Sequence, residues 1–258
     1  MKYMRGKSEE ANQNESCMGL AGIDYLGIER VLKRGTGDIL ERQDRAILVH
    51  DRVSGALMLG CEDAEAGAEL LERHMNGGRR LIMVSDHALG LAACQQYGFT
   101  GMLECYQTAW YGDSPCESDS LALKNAEESD LPMLTATYDL VSPEELRRIV
   151  KRRKLLLGHD RGNPVGFIGE HLEGSMGLLY VFPEYRRHGY AVALEKAMIA
   201  RTLKEGFIPF GQVEKGNHAS LALQKKIGMT VSDNLICWMW KYLRGIEEVR
   251  HLTGRGDQ

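Results

Sequence analysis

Apolar and polar residues run along this chain in short blocks, and the repeat switches between two and about 3.6 residues. Ile23, Leu26, Ile28 and Val31 mark the apolar face of a short helix over 22–34, ended by Gly35. Apolar runs at Ala46–His50 and Ser54–Leu59, with a turn beginning at Asp51-Arg52, predict a β-hairpin. Ala68, Leu71 and Met75 line a helix over Ala64–Met75 that Gly77-Gly78 ends. A strand at Arg80–Val84, a helix at Leu89–Tyr97 closed by Gly98 and a strand at Met102–Tyr111 complete the first series.

Gly112–Ser120 is polar and turn-rich and reads as a linker. Beyond it lie a strand at Leu121–Asn125 and a helix that Ser129-Asp130 can cap, running to about Tyr138. Ser142-Pro143-Glu144-Glu145 opens the next helix, with Ser as cap, Pro at the first position and acids in the first turn. Leu146, Ile149 and Val150 lie along that helix. Strands follow at Leu155–Asp160 and, past the Arg161-Gly162-Asn163 turn, at Val165–His171. Glu173-Gly174 turns into a strand over 176–182, and a helix runs from Ala191 to Lys204. Phe207–Glu214, a helix at Ser220–Ile227 ended by Gly228 and a strand at Leu235–Tyr242 finish the series. Laying Gly98 on Gly228 puts Leu91 on Leu221, Ala92 on Ala222 and Trp110 on Trp240, so the chain reads as a duplication. The expected division is an arm over 1–18, a first lobe over 19–115, a second over 121–245 and a charged tail from Arg244.

Composition narrows the function. The 258 residues are 43% hydrophobic and carry a net charge of −4, which gives no global basic field for nucleic acid. No apolar stretch reaches the roughly 20 residues that cross a bilayer, and Met1–Asn14 lacks the apolar core of a signal peptide. The six cysteines, Cys17, Cys61, Cys94, Cys105, Cys116 and Cys237, form no CxxC pair and no zinc spacing. They read as reduced thiols in a cytoplasmic protein, and no metal site is expected.

Chemistry concentrates between Tyr180 and Ala191. A buried strand stops at Pro183; Arg186, Arg187, His188 and Gly189 follow, and the long helix begins. Unpaired N–H groups at a helix N-terminus carry the positive end of the dipole, and two arginines add full charge. Gly189 lets a ligand approach the backbone, so the loop suits a diphosphate. At the matching place in the first lobe, Leu59-Gly60-Cys61-Glu62-Asp63 is acidic and would repel phosphate.

The loop Arg186-Arg187-His188-Gly189-Tyr190-Ala191 matches Arg/Gln-x-x-Gly-x-Gly/Ala, and Val181-Phe182-Pro183-Glu184-Tyr185 precedes it. Downstream, Asn217-His218-Ala219-Ser220-Leu221-Ala222-Leu223-Gln224-Lys225-Lys226-Ile227-Gly228-Met229 follows an Asn-x-x-Ser/Ala-x-x-Leu-Tyr-x-Lys-Leu-Gly-Phe pattern. Over about Leu121–Tyr242 the chain thus resembles the GNAT superfamily, which moves acyl groups from acyl-CoA to amines. The first half resembles a degenerate lobe of that kind. The resemblance implies an α/β fold of the α+β type: a mixed, mostly antiparallel central sheet flanked by helices, in two tandem lobes. It implies acetyl-CoA or coenzyme A as co-substrate, with the backbone of Leu179, Tyr180 and Val181 pairing with the pantetheine arm. Arg187, His188, Gly189, Tyr190 and Ala191 would offer N–H groups to the diphosphate, with Arg186 shaping the loop. Asn217 would lie near the pantetheine or thiol end, or simply at a helix entry, with Ser220 at the start of the following helix.

Two positions depart from the family pattern. Gln224 stands where the family often has a tyrosine acid, and an amide delivers no proton at neutral pH. Tyr180 stands where close relatives often have a glutamate, and it reads as a packed strand aromatic sooner than as an acid. Glu170, Glu173 and His159 are candidate relays that read as turn or edge residues, so no catalytic residue is assigned. The expected activity is N-acyl transfer to a small-molecule or peptide amine, with neither nucleic acid nor membrane as partner and a homodimer left open. The alternatives are a CoA-binding module without catalysis and a structural dimer module. The basic run Arg147-Arg148-Lys151-Arg152-Arg153-Lys154 reads as a solvated helix face.

Overall fold

A computed structural model of the protein describes residues 20–75, 78, 80–115 and 121–241. The expected arm over 1–18, Cys17, Cys116, the end of the linker and the tail from Arg244 lie outside these residues. The fold divides into two compact units, one reaching Gln107 and including the chain from Ser232, the other spanning Thr108–Val231.

In the first unit a 3-10 turn, Ile23–Tyr25, leads into helix α1 (Leu26–Lys33), where a single helix was expected. Strands β1 (Gly37–Gln43), β2 (Ala46–Asp51) and β3 (Leu57–Cys61) make an antiparallel meander. β1 has no apolar alternation in Gly-Asp-Ile-Leu-Glu-Arg-Gln and forms an edge paired only to β2, so periodicity does not reveal it. Helix α2 (Ala64–His74) is capped by Asp63, whose side chain accepts from the N–H groups of Glu65 and Ala66. Strand β4 (Leu81–Val84) runs parallel to β3, helix α3 (His87–Gln96) is capped by Asp86, and β5 (Gly101–Ala109) follows. Leu48, Leu59, Val84 and Met239 form one core with Leu70 and Leu71 of α2, while Ile47, Val49, Met58 and Met83 form another with Ile28 and Val31 of α1. The period-2 burial of a sheet with both faces covered thus makes β2 and β3 continuous apolar runs.

In the second unit, β6 (Ala122–Asn125) and a 3-10 turn at Glu128–Asp130 precede helices α4 (Leu131–Thr137) and α5 (Pro143–Lys151). The Ser142 hydroxyl caps α5 as expected, accepting from Glu145 N–H at 3.1 Å. Strands β7 (Leu155–Asp160), β8 (Asn163–Glu170) and β9 (Met176–Val181) form an antiparallel meander with β6 at its edge. Then come a 3-10 turn at Pro183–Tyr185, helix α6 (Tyr190–Lys204), β10 (Phe210–Glu214) and helix α7 (His218–Ile227). β10 lies parallel to β9 and begins after Pro209, which has no N–H to give a ladder.

The final strand β11 (Thr230–Trp240) was expected as Leu235–Tyr242 at the end of the second lobe. From Ser232 onward it belongs to the first unit, where Cys237 faces Val84 of β4 in antiparallel register. Conversely, the end of β5 from Thr108 belongs to the second unit. The order α1-β1-β2-β3-α2-β4-α3-β5 recurs as α5-β7-β8-β9-α6-β10-α7-β11. The expected fold class is therefore present: mostly antiparallel strands with helices on both faces, in two tandem lobes.

One irregularity positions the site. Val181 and Tyr180 of β9 face Gly166 and Phe167 of β8, but the next partners are Gly177 and Gly169. β9 thus carries one residue more than β8 across this interval, a bulge in which Leu178 takes φ +52°. Gly166 permits the close approach, since a Cβ there would lie 2.3 Å from the Tyr180 carbonyl oxygen and 3.0 Å from the Val181 Cα. Both are backbone atoms that cannot swing aside. Gly166→Ala is expected to cost about 1–3 kcal/mol, read as a lowered urea midpoint against the wild-type chain.

Candidate acyl-CoA site

The site is built from β9, β10, α6 and α7. Parallel pairing of β9 with β10 is confined to one register position, Met176 opposite Gly211. No register pair joins the two strands at Leu179, Tyr180 or Val181. Gly211 lets the strands meet at the closed end, where an added Cβ would lie 3.0 Å from the Met176 carbonyl oxygen. Leu179 and Val181 pack against the α6 side, with Leu194 and Met198 in the same core. Tyr180 turns to the other face and stacks on Phe167 at 5.7 Å, with Phe182 edge-on at 5.8 Å. Its aromatic packing is what the sequence favoured over an acid role.

At the open end the chain makes its basic turn. Arg186 Nε donates to the Val181 carbonyl at 3.3 Å, and its guanidinium lies 5.8 Å from the Tyr180 ring centre. Arg186 thereby ties the loop to the strand. Arg187 has φ +63° and Gly189 φ +85°, two left-handed residues bracketing His188. Such alternation turns successive N–H groups toward one side, the geometry of an anion nest. His188 Nδ1 contacts the carbonyl oxygens of Arg186 (2.8 Å) and Tyr185 (3.2 Å). Both can only accept, so Nδ1 carries the ring proton. The ring stacks on Tyr190, whose hydroxyl donates to Asp160 Oδ2 at 2.8 Å.

Helix α6 starts at Tyr190, one residue before the expected Ala191, and its N-cap Gly189 has no side chain to cap it. By contrast α2, α3, α5 and α7 are capped by Asp63, Asp86, Ser142 and Asn217. The N–H groups of Tyr190 and Ala191 stand in the first turn, where no intrahelical acceptor exists. Arg186, Arg187, His188, Gly189, Tyr190 and Ala191 are therefore gathered in one turn. Asn217 is the α7 cap, its Oδ1 accepting from Ser220 N–H at 3.0 Å. That oxygen is committed to the helix, and Ser220 lies within the first turn of α7 instead of starting it.

Between α6 and α7 the sequence reading missed a buried pair. Gln224 Nε2 donates to Glu195 Oε1 at 2.8 Å, and both side chains are buried. Burial pushes the Glu195 carboxyl up to about 7, with Gln224 opposing the rise only in part. Gln224 Oε1 is buried without a partner. The one available signal is an acid next to Leu194 on the apolar face of α6.

On the opposite face of β9 stand three more unanticipated groups. Tyr138, at the end of α4, packs edge-on to Phe167 at 5.9 Å, with the Leu178 N–H against its hydroxyl oxygen. His171 Nδ1 lies 4.0 Å from Glu145 Oε1 on α5. Of the candidate relays, Glu170 pairs with Lys154 at 3.2 Å, Glu173 accepts from Ser175, and His159 has its Nδ1 buried without a partner.

The equivalent strands of the first unit leave no opening. β3 and β4 stay paired through Leu57–Ile82, Met58–Met83 and Leu59–Val84, and Ser85 N–H then donates to the Leu59 carbonyl. Asp63 fills the N-terminus of α2 with its own carboxylate.

Solved structures of GNAT-family proteins share this fold of two tandem α+β lobes. Residues 159–239, which include β9, the turn, α6, β10 and α7, match the family model of FR47-like protein. Among solved structures, a Drosophila protein shares the fold with 16% identity over 91% of this chain and 95% of its own, at a TM-score of 0.64. A GNAT-family acetyltransferase from Novosphingobium aromaticivorans gives 16%, 86%, 100% and 0.55. A GCN5-related N-acetyltransferase-like protein from Streptococcus suis gives 14%, 92%, 100% and 0.52. No curated protein matches the chain. The family match is confined to the C-terminal part of the chain, and the solved structures, at 16% identity or less, show a shared fold.

Glu195 makes a pH prediction. Its folded value of about 7 lies above the ordinary 4.5, so folding takes up a proton between these limits. The contribution is complete below pH 4.5 and is lost as pH rises through 7. The loss is expected to be about 3 kcal/mol. Glu195→Gln, neutral at every pH, is expected to flatten that slope in urea melts run from pH 4.5 to 8.

Proposed function

We propose that the second unit binds acyl-CoA and transfers a short acyl group, acetyl in the first instance, to a primary amine by direct attack on the thioester. The observation that carries this reading is the joining of a splayed β9–β10 pair to an uncapped helix N-terminus through a turn holding two arginines. The opening offers backbone groups of Leu179, Tyr180 and Val181 to an extended amide-bearing arm, which can pair as an added strand. Arg187 and the N–H groups of the turn and of Tyr190 and Ala191 suit a diphosphate, while Arg186 holds the turn in place. The chain's part in the chemistry is to fix the thioester, supply donors to the oxyanion and accept the proton of the ammonium.

A second reading, CoA binding without transfer, rests on Gln224. Its amide delivers no proton, and it is hydrogen-bonded to Glu195 in the core. A CoA thiolate is stable enough to leave unaided, so the two readings separate on an assay of thiol release from acetyl-CoA with a panel of amines. A cytoplasmic setting goes with either reading, since Cys61, Cys94, Cys105 and Cys237 are free thiols.

Coenzyme A at about 100 times its Kd is expected to stabilise the wild-type chain by about 2.7 kcal/mol, seen as a raised Tm. Arg187→Glu is expected to weaken CoA at least tenfold, or about 1.4 kcal/mol, with the ligand-free Tm little changed. Unaltered affinity in that variant counts against the diphosphate turn.

A further inference from the structure

The side of β9 facing away from α6 carries titratable groups that the binding reading does not use. Gly177 follows the paired Met176 and precedes the bulge at Leu178. The His171 ring lies against it: a Cβ on Gly177 would stand 2.5 Å from His171 Nε2. The same turn fixes the histidine through His171 N–H to the Ser175 carbonyl (2.8 Å) and Gly174 N–H to the His171 carbonyl (2.9 Å). Nδ1 points the other way, toward Glu145 of α5 at 4.0 Å. One ring nitrogen thus faces a carboxylate and the other faces the strand beside the closed end of the opening.

Three acids surround this imidazole, and they are not equivalent. Glu170 is tied to Lys154, which also binds Glu205 at 2.6 Å. Glu173 is buried and accepts the Ser175 hydroxyl. The Glu145 carboxylate has no other side-chain partner among the described residues, and at 4.0 Å it acts on the Nδ1 side of the ring by charge. Burial alone would depress the imidazole, but Glu145, Glu173 and Glu170 outweigh it and raise its pKa above the ordinary value. His171 and Glu145 keep 28% and 33% of their side-chain surface.

We propose that His171 Nε2 is the base that deprotonates the acceptor ammonium, with Glu145 a positioning residue whose charge favours the proton on Nδ1. This rests on the acyl-transfer reading and assigns a role within it. The ammonium gives one proton to Nε2, and the freed nitrogen lone pair attacks the thioester carbon. A C–N bond forms, the C–S bond breaks, and the thiolate leaves with the electron pair. The second nitrogen proton reaches the thiolate, and His171 returns its own proton to solvent. The acceptor enters from the Tyr138–Glu145 side, opposite α6, and negative side chains there favour an amine that arrives as a cation.

The test compares His171→Gln with wild type, using acetyl-CoA, hydroxylamine and a panel of alkyl primary amines comprising amino acids, polyamines and a lysine peptide. Hydroxylamine is already neutral at pH 7 and needs no base. The variant is expected to lose about 100-fold in kcat/KM with the best alkylamine, to change less than about threefold with hydroxylamine, and to keep the wild-type Tm shift with CoA. Equal slowing of both acceptors, or of neither, overturns the assignment. Imidazole NMR gives a readout independent of turnover: His171 is expected to titrate above the ordinary histidine range and to fall toward it in Glu145→Gln. A His171 that does not titrate between pH 5 and 9 also overturns it. A wild-type chain that shows no CoA shift, or transfers to neither hydroxylamine nor any amine, instead refutes the acyl-transfer reading itself, and the base falls with it.

Discussion

The second unit depends on β9 parting from β10 after a single register position. A strand inside a sheet normally satisfies its backbone on both sides, and leaving one side open is costly unless water or a ligand takes the place of the neighbour. The bulge at Leu178 supplies the means, because an extra residue bends a strand and increases its local twist. Gly166 and Gly211 let the neighbouring strands stay close on either side of the bend. The basic turn and α6 then follow directly from the end of β9, so the bend of the strand also places the uncapped helix N-terminus.

The bulge also changes which residues share a face. Before it, Met176 packs on the α6 side; after it, Leu179 and Val181 do, although strict alternation from Met176 would send Leu178 and Tyr180 there. Tyr180 instead joins Phe167, Phe182 and, through Phe167, Tyr138 on the opposite face. One added residue therefore separates an apolar side, packed on α6, from an aromatic and titratable side, because a one-residue slip reverses every side chain beyond it.

This accounts for what could be read in the sequence. The turn from Arg186 to Ala191 was legible because its conformation and charge are written in consecutive residues. The strand–helix order was legible from periodicity, except for β1, whose polar sequence pairs at an edge without burying a stripe. Glu195 met Gln224 only through the packing of two helices, and His171 met Glu145 across a turn and a helix 26 positions upstream. Nothing local announces such contacts. Asn217 illustrates the remaining ambiguity: a helix cap and a ligand contact draw on the same residue type, and the structure commits its oxygen to the cap.

The two lobes differ in few local features. Both have a parallel strand pair followed from the first strand into a helix, yet β3 and β4 remain paired over three register positions where β9 and β10 keep one. Asp63 and Gly189 hold the same N-cap role. A carboxylate at that place neutralises the helix N-terminus and repels phosphate, whereas a left-handed glycine leaves the N–H groups unclaimed. The first unit has therefore turned the same elements toward its own stability, with apolar side chains on both faces of its sheet and its last strand drawn from the end of the chain. Because β11 completes the first unit, that unit cannot finish folding until nearly all of the second has been made.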